Sequence, residues 1–224
     1  RGESISLVRK DGSVALVKDY LGNPSPAQEF LRITEIMYHP APTSLTETFA
    51  TEDYEYMELK NIGTETISLA GVHFTNGITF EFSGSAVTLL GAGQTVLIVK
   101  NQLAFQERYG TGFTIAGVYG GQLDNGGERI RLDDIDGEKI LDFDYNDNWY
   151  PITDGLGFSL VIVNEQAPFQ TWDEKESWRP SGRFQGSPGN EDPPVATVAT
   201  ILANEVLTHT DDPFVDTIEL FNPN

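Results

Sequence analysis

The 224-residue chain is strongly acidic: 14 Lys and Arg stand against 34 Asp and Glu, a formal charge of −20. Nucleic-acid affinity rests on cationic contacts to phosphate, so this balance excludes a DNA- or RNA-binding role; it also opposes docking on anionic lipid and suits high solubility or a medium rich in divalent cations. Hydrophobic residues at 39% allow a packed core, the absence of Cys excludes disulfides, thiolate metal sites and Cys nucleophiles, and no apolar run approaches the ~20 residues of a membrane span.

In chain order, the pattern is β throughout. Residues 3–20, ESISLVRKDGSVALVKDY, read as strand, Asp-Gly turn, strand. GNPSPAQE at 22–29 reads as a Pro- and Gly-rich linker. LRITEIMYHP at 31–40 and EYMELKN at 55–61 follow as strands; alternation turns Met57 and Leu59 inward and places Tyr56 and Glu58 on the other face. TISLAGVHFTNGITFEF at 66–82 holds an Asn76-Gly77 hairpin signal, and GAGQTVLIVK at 91–100 is a Gly turn before an apolar strand. NQLAFQERYG at 101–110 is the one expected helix, with Asn101 at its start and Gly110 at its end. ERIRLDDIDGEKILDFDY at 128–145 predicts a second Asp-Gly hairpin, and GLGFSLVIVN at 155–164 a buried strand. GSPGNEDPPVAT at 186–197 reads as a linker, with Ser187-Pro188-Gly189 ending the domain by denying further ladder pairing.

Two stretches repeat others. Residues 3–20 match 128–145, with Glu, Ile, Leu, Asp-Gly and the closing Asp-Tyr in step. ILANEVLTHT at 201–210 matches LRITEIMYHP at 31–40, and Ile218-Glu219-Leu220-Phe221-Asn222 matches Met57-Glu58-Leu59-Lys60-Asn61. Hairpins share a common grammar, so either echo alone is weak; a late hairpin at the front and opening strands at the back together suggest a tandem array. The expected organisation is therefore a partial hairpin at 1–24, a β-sandwich at 25–194 and the opening strands of a further copy at 195–224. Arg1 is not a natural start and no secretory leader is present, so a fragment or processed product is expected.

The central unit, about residues 30–190, resembles the lamin-tail domain family, closest to its secreted bacterial branch. The resemblance rests on the order and spacing of ITEIMYHP, EYMELKN, ISLAGVHF, LLGAGQTVLIVK, FQERYG, GQLDNGGERIRLDDIDG, DYNDNWYPITDGLGFSL and SWRPSGRFQGSPGN. Val72 stands where the family often has Trp after its Leu-x-Gly step. The resemblance implies an all-β, immunoglobulin-like sandwich without enzymatic activity. It further implies a structural or interaction module of a large extracellular or cell-surface bacterial protein. An accessory binding domain on a secreted hydrolase, a nuclease or phosphatase, is the alternative.

Candidate chemistry is sparse. His39, His73 and His209 lack a nucleophile-elbow context, and no P-loop, HExxH or Rossmann fingerprint is present. Ca²⁺ takes six to eight hard oxygen ligands. Asp133-Asp134-Ile135-Asp136-Gly137-Glu138 resembles part of an EF-hand loop but lacks its length and spacing, and reads equally as a hairpin turn with solvated acids. Glu35 and Glu58, recurring as Glu205 and Glu219, set a Glu on each of two neighbouring strands, an arrangement that asks for a counter-charge or a metal. Asp142 from a third strand completes a candidate Ca²⁺ set; pairing with Lys60 or Arg32, or plain solvation, is the other reading. Trp149, Trp172 and Trp178 fit either a sugar-stacking platform or core packing. The expected partners are proteins or neighbouring repeats, with head-to-tail self-association through the chain ends as a further expectation, and neither nucleic acid nor membrane insertion.

Overall fold

The computed structural model describes residues 3–20, 22–194, 202–209, 211 and 215–221. They divide into two compact units, one ending at Pro193 and one beginning at Pro194. In the first, β1 (Glu3–Val8) and β2 (Val14–Tyr20) precede α1 (Pro26–Phe30), β3 (Leu31–Met37) and β4 (Tyr56–Asn61). Then come β5 (Ile67–Ser68), β6 (His73–Asn76), β7 (Leu89–Leu90), β8 (Thr95–Val99), α2 (Gln102–Tyr109) and β9 (Ile115–Val118). β10 (Arg129–Asp133), β11 (Lys139–Asp144), β12 (Leu160–Ile162) and β13 (Trp178–Pro180) complete it.

Nine of these strands form an immunoglobulin-like sandwich, while β1–β2 and β5–β7 are separate two-stranded sheets. The larger sheet has the order β13-β12-β3-β4-β8-β9 and the smaller β11-β10-β6. All pairings in the larger sheet are antiparallel except β8–β9. One core lies between the sheets, with Ile33, Ile36, Met57 and Leu59 from one side and Phe74, Ile130, Leu132, Leu141 and Phe143 from the other. Period-2 alternation explains this selection, because each second side chain of a strand meets the facing sheet. Trp172 and Trp178 are also core residues: Phe143 stacks on Trp178 at 5.3 Å, and the Trp178 indole N–H donates to the Trp172 carbonyl at 2.8 Å. Trp149 packs partly buried against the same cluster, so the tryptophans line the interior rather than a sugar platform.

The outer face of the larger sheet is covered at one end by α2. Asn101 caps this helix through the N–H groups of Leu103 and Ala104, and Gly110 ends it at φ +86°. Phe105 drops onto Met37, Tyr56, Leu97 and Val99, making a second, smaller core. The segment predicted as a leading linker is partly folded. Ser25 and Gln28 form a reciprocal capping box, Pro26 starts α1, and Ala27 is buried. The Asn76-Gly77 turn forms, with the Phe74 N–H donating to the Phe80 carbonyl, but only its first arm is a strand.

The echoes in the sequence recur in the backbone. In β10–β11 the pairs run Ile130↔Phe143, Arg131↔Asp142, Leu132↔Leu141, then a bulge, then Asp133↔Lys139. In β1–β2 they run Ile5↔Lys18, Ser6↔Val17, Leu7↔Leu16, then a bulge, then Val8↔Val14. The turns agree as well: Gly12 and Gly137 take φ +84° and +77°, each closing a bond to the residue three before it. The second unit holds β14 (Leu202–Leu207) and β15 (Thr217–Phe221). β14 and β15 pair Ala203↔Leu220, Glu205↔Glu219, Val206↔Ile218 and Leu207↔Thr217, as β3 and β4 pair Ile33↔Leu59, Glu35↔Glu58, Ile36↔Met57 and Met37↔Tyr56. Even the bulge is shared, before Glu205 and before Glu35. What differs is burial: the described side chains of β1, β2, β14 and β15 are exposed.

Candidate functional site

The recurring Glu pair sits on the outer face of the larger sheet because of a one-residue irregularity. Ile33 and Ile36 both enter the core, and the bulge between Ile33 and Glu35 lets both Thr34 and Glu35 face outward beside Glu58. The Thr34 hydroxyl donates to Glu58 Oε1 at 2.6 Å. Both carboxylates are almost wholly buried, with Glu35 at 2% and Glu58 at 4% exposure.

Neither meets the cations that the sequence offered. Lys60 pairs with Glu165 at 2.9 Å, and Arg32 donates to the backbone carbonyls of Gln28, Glu29 and Leu31. Instead, Glu35 Oε1 accepts from the Tyr56 hydroxyl at 2.8 Å, the Ser159 hydroxyl at 2.5 Å and the Ser187 N–H at 2.8 Å. Glu58 Oε2 accepts from the Gly189 N–H at 2.6 Å. Asp192 closes the same segment, taking the Ser187 hydroxyl at 2.5 Å, the Gly182 N–H at 2.9 Å and Arg179 at 2.5 Å. Three carboxylates thus fasten residues 182–192 across the sheet. The stretch predicted to be a linker from Gly186 is therefore part of the domain through Asp192. Gly186 turns at φ +79°, and a Cβ there would collide with the Tyr56 hydroxyl and the Glu35 carboxylate.

Burial dominates the electrostatics. Loss of hydration pushes the Glu35 carboxyl up to about 7, against the pull of its Ser159, Ser187 and Tyr56 donors and with the Glu58 charge adding to the rise. Glu58 is raised for the same leading reason. A third acid, Glu55, is fully buried; it accepts from the Tyr119 hydroxyl at 2.7 Å and the Leu123 N–H at 3.0 Å, and burial pushes it up to about 7.

Asp142 does not join the pair. It lies on β11 in the smaller sheet, where Arg129 at 2.6 Å and Lys139 at 2.7 Å bind it, and the Arg129 hydrogen bond leads in holding its carboxyl far below the usual range. Among the described residues no group of three His, Cys, Asp or Glu side chains is arranged to hold a metal ion. Asp133 to Glu138 fold as the hairpin turn: Asp134 Oδ1 accepts the N–H groups of Asp136 and Glu138, and Asp133 pairs with Arg131. His39 Nδ1 lies 2.6 Å from Asp154, His73 Nδ1 lies 2.9 Å from the Gly71 carbonyl, and His209 is exposed at φ +60°.

Beside the acid pair runs a groove of about 680 Å³, lined by Thr34, Glu58, Lys60, Gln94, Thr95, Thr114, Arg179 and Asn190 among others. It is open and polar, a shape that suits hydrated contact with another protein surface more than the enclosed apolar pocket of a small-molecule site. Among the described residues no helix is long and apolar enough to cross a membrane.

Tyr56, Ser159, Ser187, Gly189 and Asp192 escaped the sequence reading. Tyr56 alone carried a signal, since it shares a strand face with Glu58. Ser159, Ser187 and Gly189 act through backbone N–H groups or lone hydroxyls on loops, and Asp192 through a loop carboxylate, none of which leaves a pattern in a sequence.

Residues 24–147 match the family model described as Lamin Tail Domain. No curated protein and no solved structure matches the chain. The matched stretch contains Glu35 and Glu58 but ends before β12, so Ser159, Ser187 and Gly189 lie beyond it.

Proposed function

The chain belongs to the lamin tail domain family, whose members are immunoglobulin-like, non-catalytic interaction or structural modules, and we propose that it is a segment of a tandem array of such domains in a large secreted or cell-surface bacterial protein. The observation that supports this reading is the shared register. A hairpin with the pairing, bulge and turn of β10–β11 precedes the sandwich, and one with the pairing and bulge of β3–β4 follows it. An array needs each unit to present a stable outer surface, and a charge of −20 keeps such units soluble and apart. The role is that of a spacer and docking part for other proteins.

An antibody against the sandwich, used on fractionated cells and medium of the source organism, tests this. The expected result is a band far larger than 24.7 kDa in the medium or surface fraction. A band of 24.7 kDa confined to the cytosol overturns the proposal.

A further inference from the structure

Among the described residues, the 186–190 tip of the fastened segment meets the sandwich through two hydrogen bonds. They run from the Ser187 N–H to Glu35 Oε1 at 2.8 Å and from the Gly189 N–H to Glu58 Oε2 at 2.6 Å. The tip's other bonds stay within the segment: Gly186 to the Arg183 carbonyl, the Ser187 hydroxyl to Asp192, and Asn190 to the Ser187 and Pro188 carbonyls. No residue of 182–192 belongs to either hydrophobic core, and Phe184 is 59% exposed. The base is anchored separately, because Asp192 takes Gly182 and Arg179 while the Gln185 N–H reaches the Gly157 carbonyl at 2.5 Å. A tip tied through two carboxylates thus stands on a fixed base.

Those carboxylates are a like-charged pair. Glu35 and Glu58 stand directly opposite each other on β3 and β4, where two negative charges destabilise a sheet. The neighbouring cations are engaged elsewhere: Lys60 with Glu165, Arg179 with Asp192, and Arg108 of α2 with Glu47. Arg183 and Glu191 on the segment itself are exposed, and the Tyr56 and Tyr109 hydroxyls, raised by burial, stay uncharged. An N–H donor favours the ionised form of each acid, but burial is the leading influence on both and drives them the other way, Glu35 to about 7. The tip supplies part of that burial, since a Cβ on Gly186 would lie 2.5 Å from Glu35 Oε1.

We propose that residues 186–190 are a flap, closed over Glu35 and Glu58 while the pair holds a proton and lifting from the sheet when both acids are ionised. Gly189, Asn190 and Asp192 line the groove beside the pair, so lifting the tip widens the groove and bares two carboxylates on its floor. A carboxyl raised in the closed form favours closure while it is protonated. Closure is therefore strongest below the ordinary carboxylate range and weakens as pH rises through about 7. The flap makes the groove a pH-gated surface, and this holds whether or not the chain belongs to a tandem array.

Hydrogen exchange of the full chain near pH 5 and near pH 8 is the test, with each amide expressed as protection relative to an unstructured chain. Ser187 and Gly189 are expected to lose protection by about tenfold or more between the two, and to stay less protected than the β10 amides at both. Their exchange near pH 8 should not respond to low urea, because a local opening exposes little surface. In the double variant Glu35→Gln, Glu58→Gln, both amides should keep the same protection at the two pH values, with unfolding followed by tryptophan fluorescence as the control for folding. If that variant does not fold, the wild-type values decide. Protection that is equal at the two pH values, that falls in step with β10, or that falls as much in the double variant overturns the proposal. The tandem reading fails separately, by the size and location of the native protein.

Discussion

The hairpins β1–β2 and β10–β11 share register, bulge and turn, yet one is exposed and the other forms a wall of the core. Local grammar suffices for the shape: β-branched and apolar residues at alternate positions, an Asp-Gly turn and a glycine in the left-handed region. Burial depends on what the rest of the chain brings over the inner face. Sequence shows the difference at two core positions, the first being Ile140, buried at 1% exposure, which corresponds to Ala15. Phe143, which meets Trp172 and Trp178 in the core, corresponds to Lys18. The segment after β11 supplies those tryptophans, whereas β2 runs almost at once into α1. Where no tryptophans follow, the aromatic is absent too.

The comparison breaks most sharply under a charge. Leu132→Asp buries an unpaired carboxylate and is expected to destabilise the domain by about 4 kcal/mol or more, whereas Leu7→Asp at the equivalent position changes it by less than about 0.5 kcal/mol. Denaturant unfolding followed by tryptophan fluorescence reads the central sandwich alone, since Trp149, Trp172 and Trp178 all lie in it. Equal effects at the two positions would mean that β1–β2 is docked in solution.

A second contrast, nearly as large, is with pH. Glu35 and Glu55 are pushed up to about 7 and Glu58 is raised, each first by burial. A carboxyl raised in the folded state favours folding while it is protonated. Its contribution is full below its ordinary value and is lost as pH rises through about 7. The sandwich is therefore expected to be more stable near pH 5 than near pH 8, by on the order of 3 kcal/mol for Glu35 alone. Unfolding free energies across that range check it, and Glu35→Gln should flatten the slope. A stability that climbs steadily to pH 8 would contradict the assignment.

Smaller still is the pair of turn glycines. Neither Gly12 nor Gly137 has an atom within 4 Å of an added Cβ, so only the positive φ opposes a side chain. Gly137→Ala should cost about 1 kcal/mol in global stability, and Gly12→Ala should cost the same locally while leaving the main transition in place. Hydrogen exchange of the β1–β2 amides reads the local loss. The smallest expected signal is none: no binding to duplex DNA at physiological salt by fluorescence anisotropy, in spite of the cationic leading segment. Salt-sensitive binding that Lys10→Glu abolishes would show that this segment acts independently of the acidic body.

Much of this was legible in the sequence. The hairpins, α2 with its Asn101 and Gly110 ends, the inward Met57 and Leu59, and the Glu35–Glu58 juxtaposition all follow from periodicity, turn chemistry and repetition. Two things were not. The Pro-rich run at 22–29 hid α1, because Pro26 at the first helical position and Ser25 at the cap look the same as loop punctuation. The fastening of 182–192 was invisible because its donors are mainly backbone N–H groups and serine hydroxyls far away in the chain. Asp142, expected to approach the Glu pair from a third strand, lies in the other sheet, where Arg129 and Lys139 on its own hairpin claim it.

The fastening also sets a clock. Ser187 follows Glu35 by 152 residues, and Gly189 follows Glu58 by 131. At a synthesis rate of about 5–20 residues per second, Glu35 waits roughly 8–30 s for its last donor to be made. Through that interval the two acids lack the segment that buries them, so they are wet and able to carry their charge. Closure of residues 182–192 therefore comes late in synthesis, and it expels water and charge together.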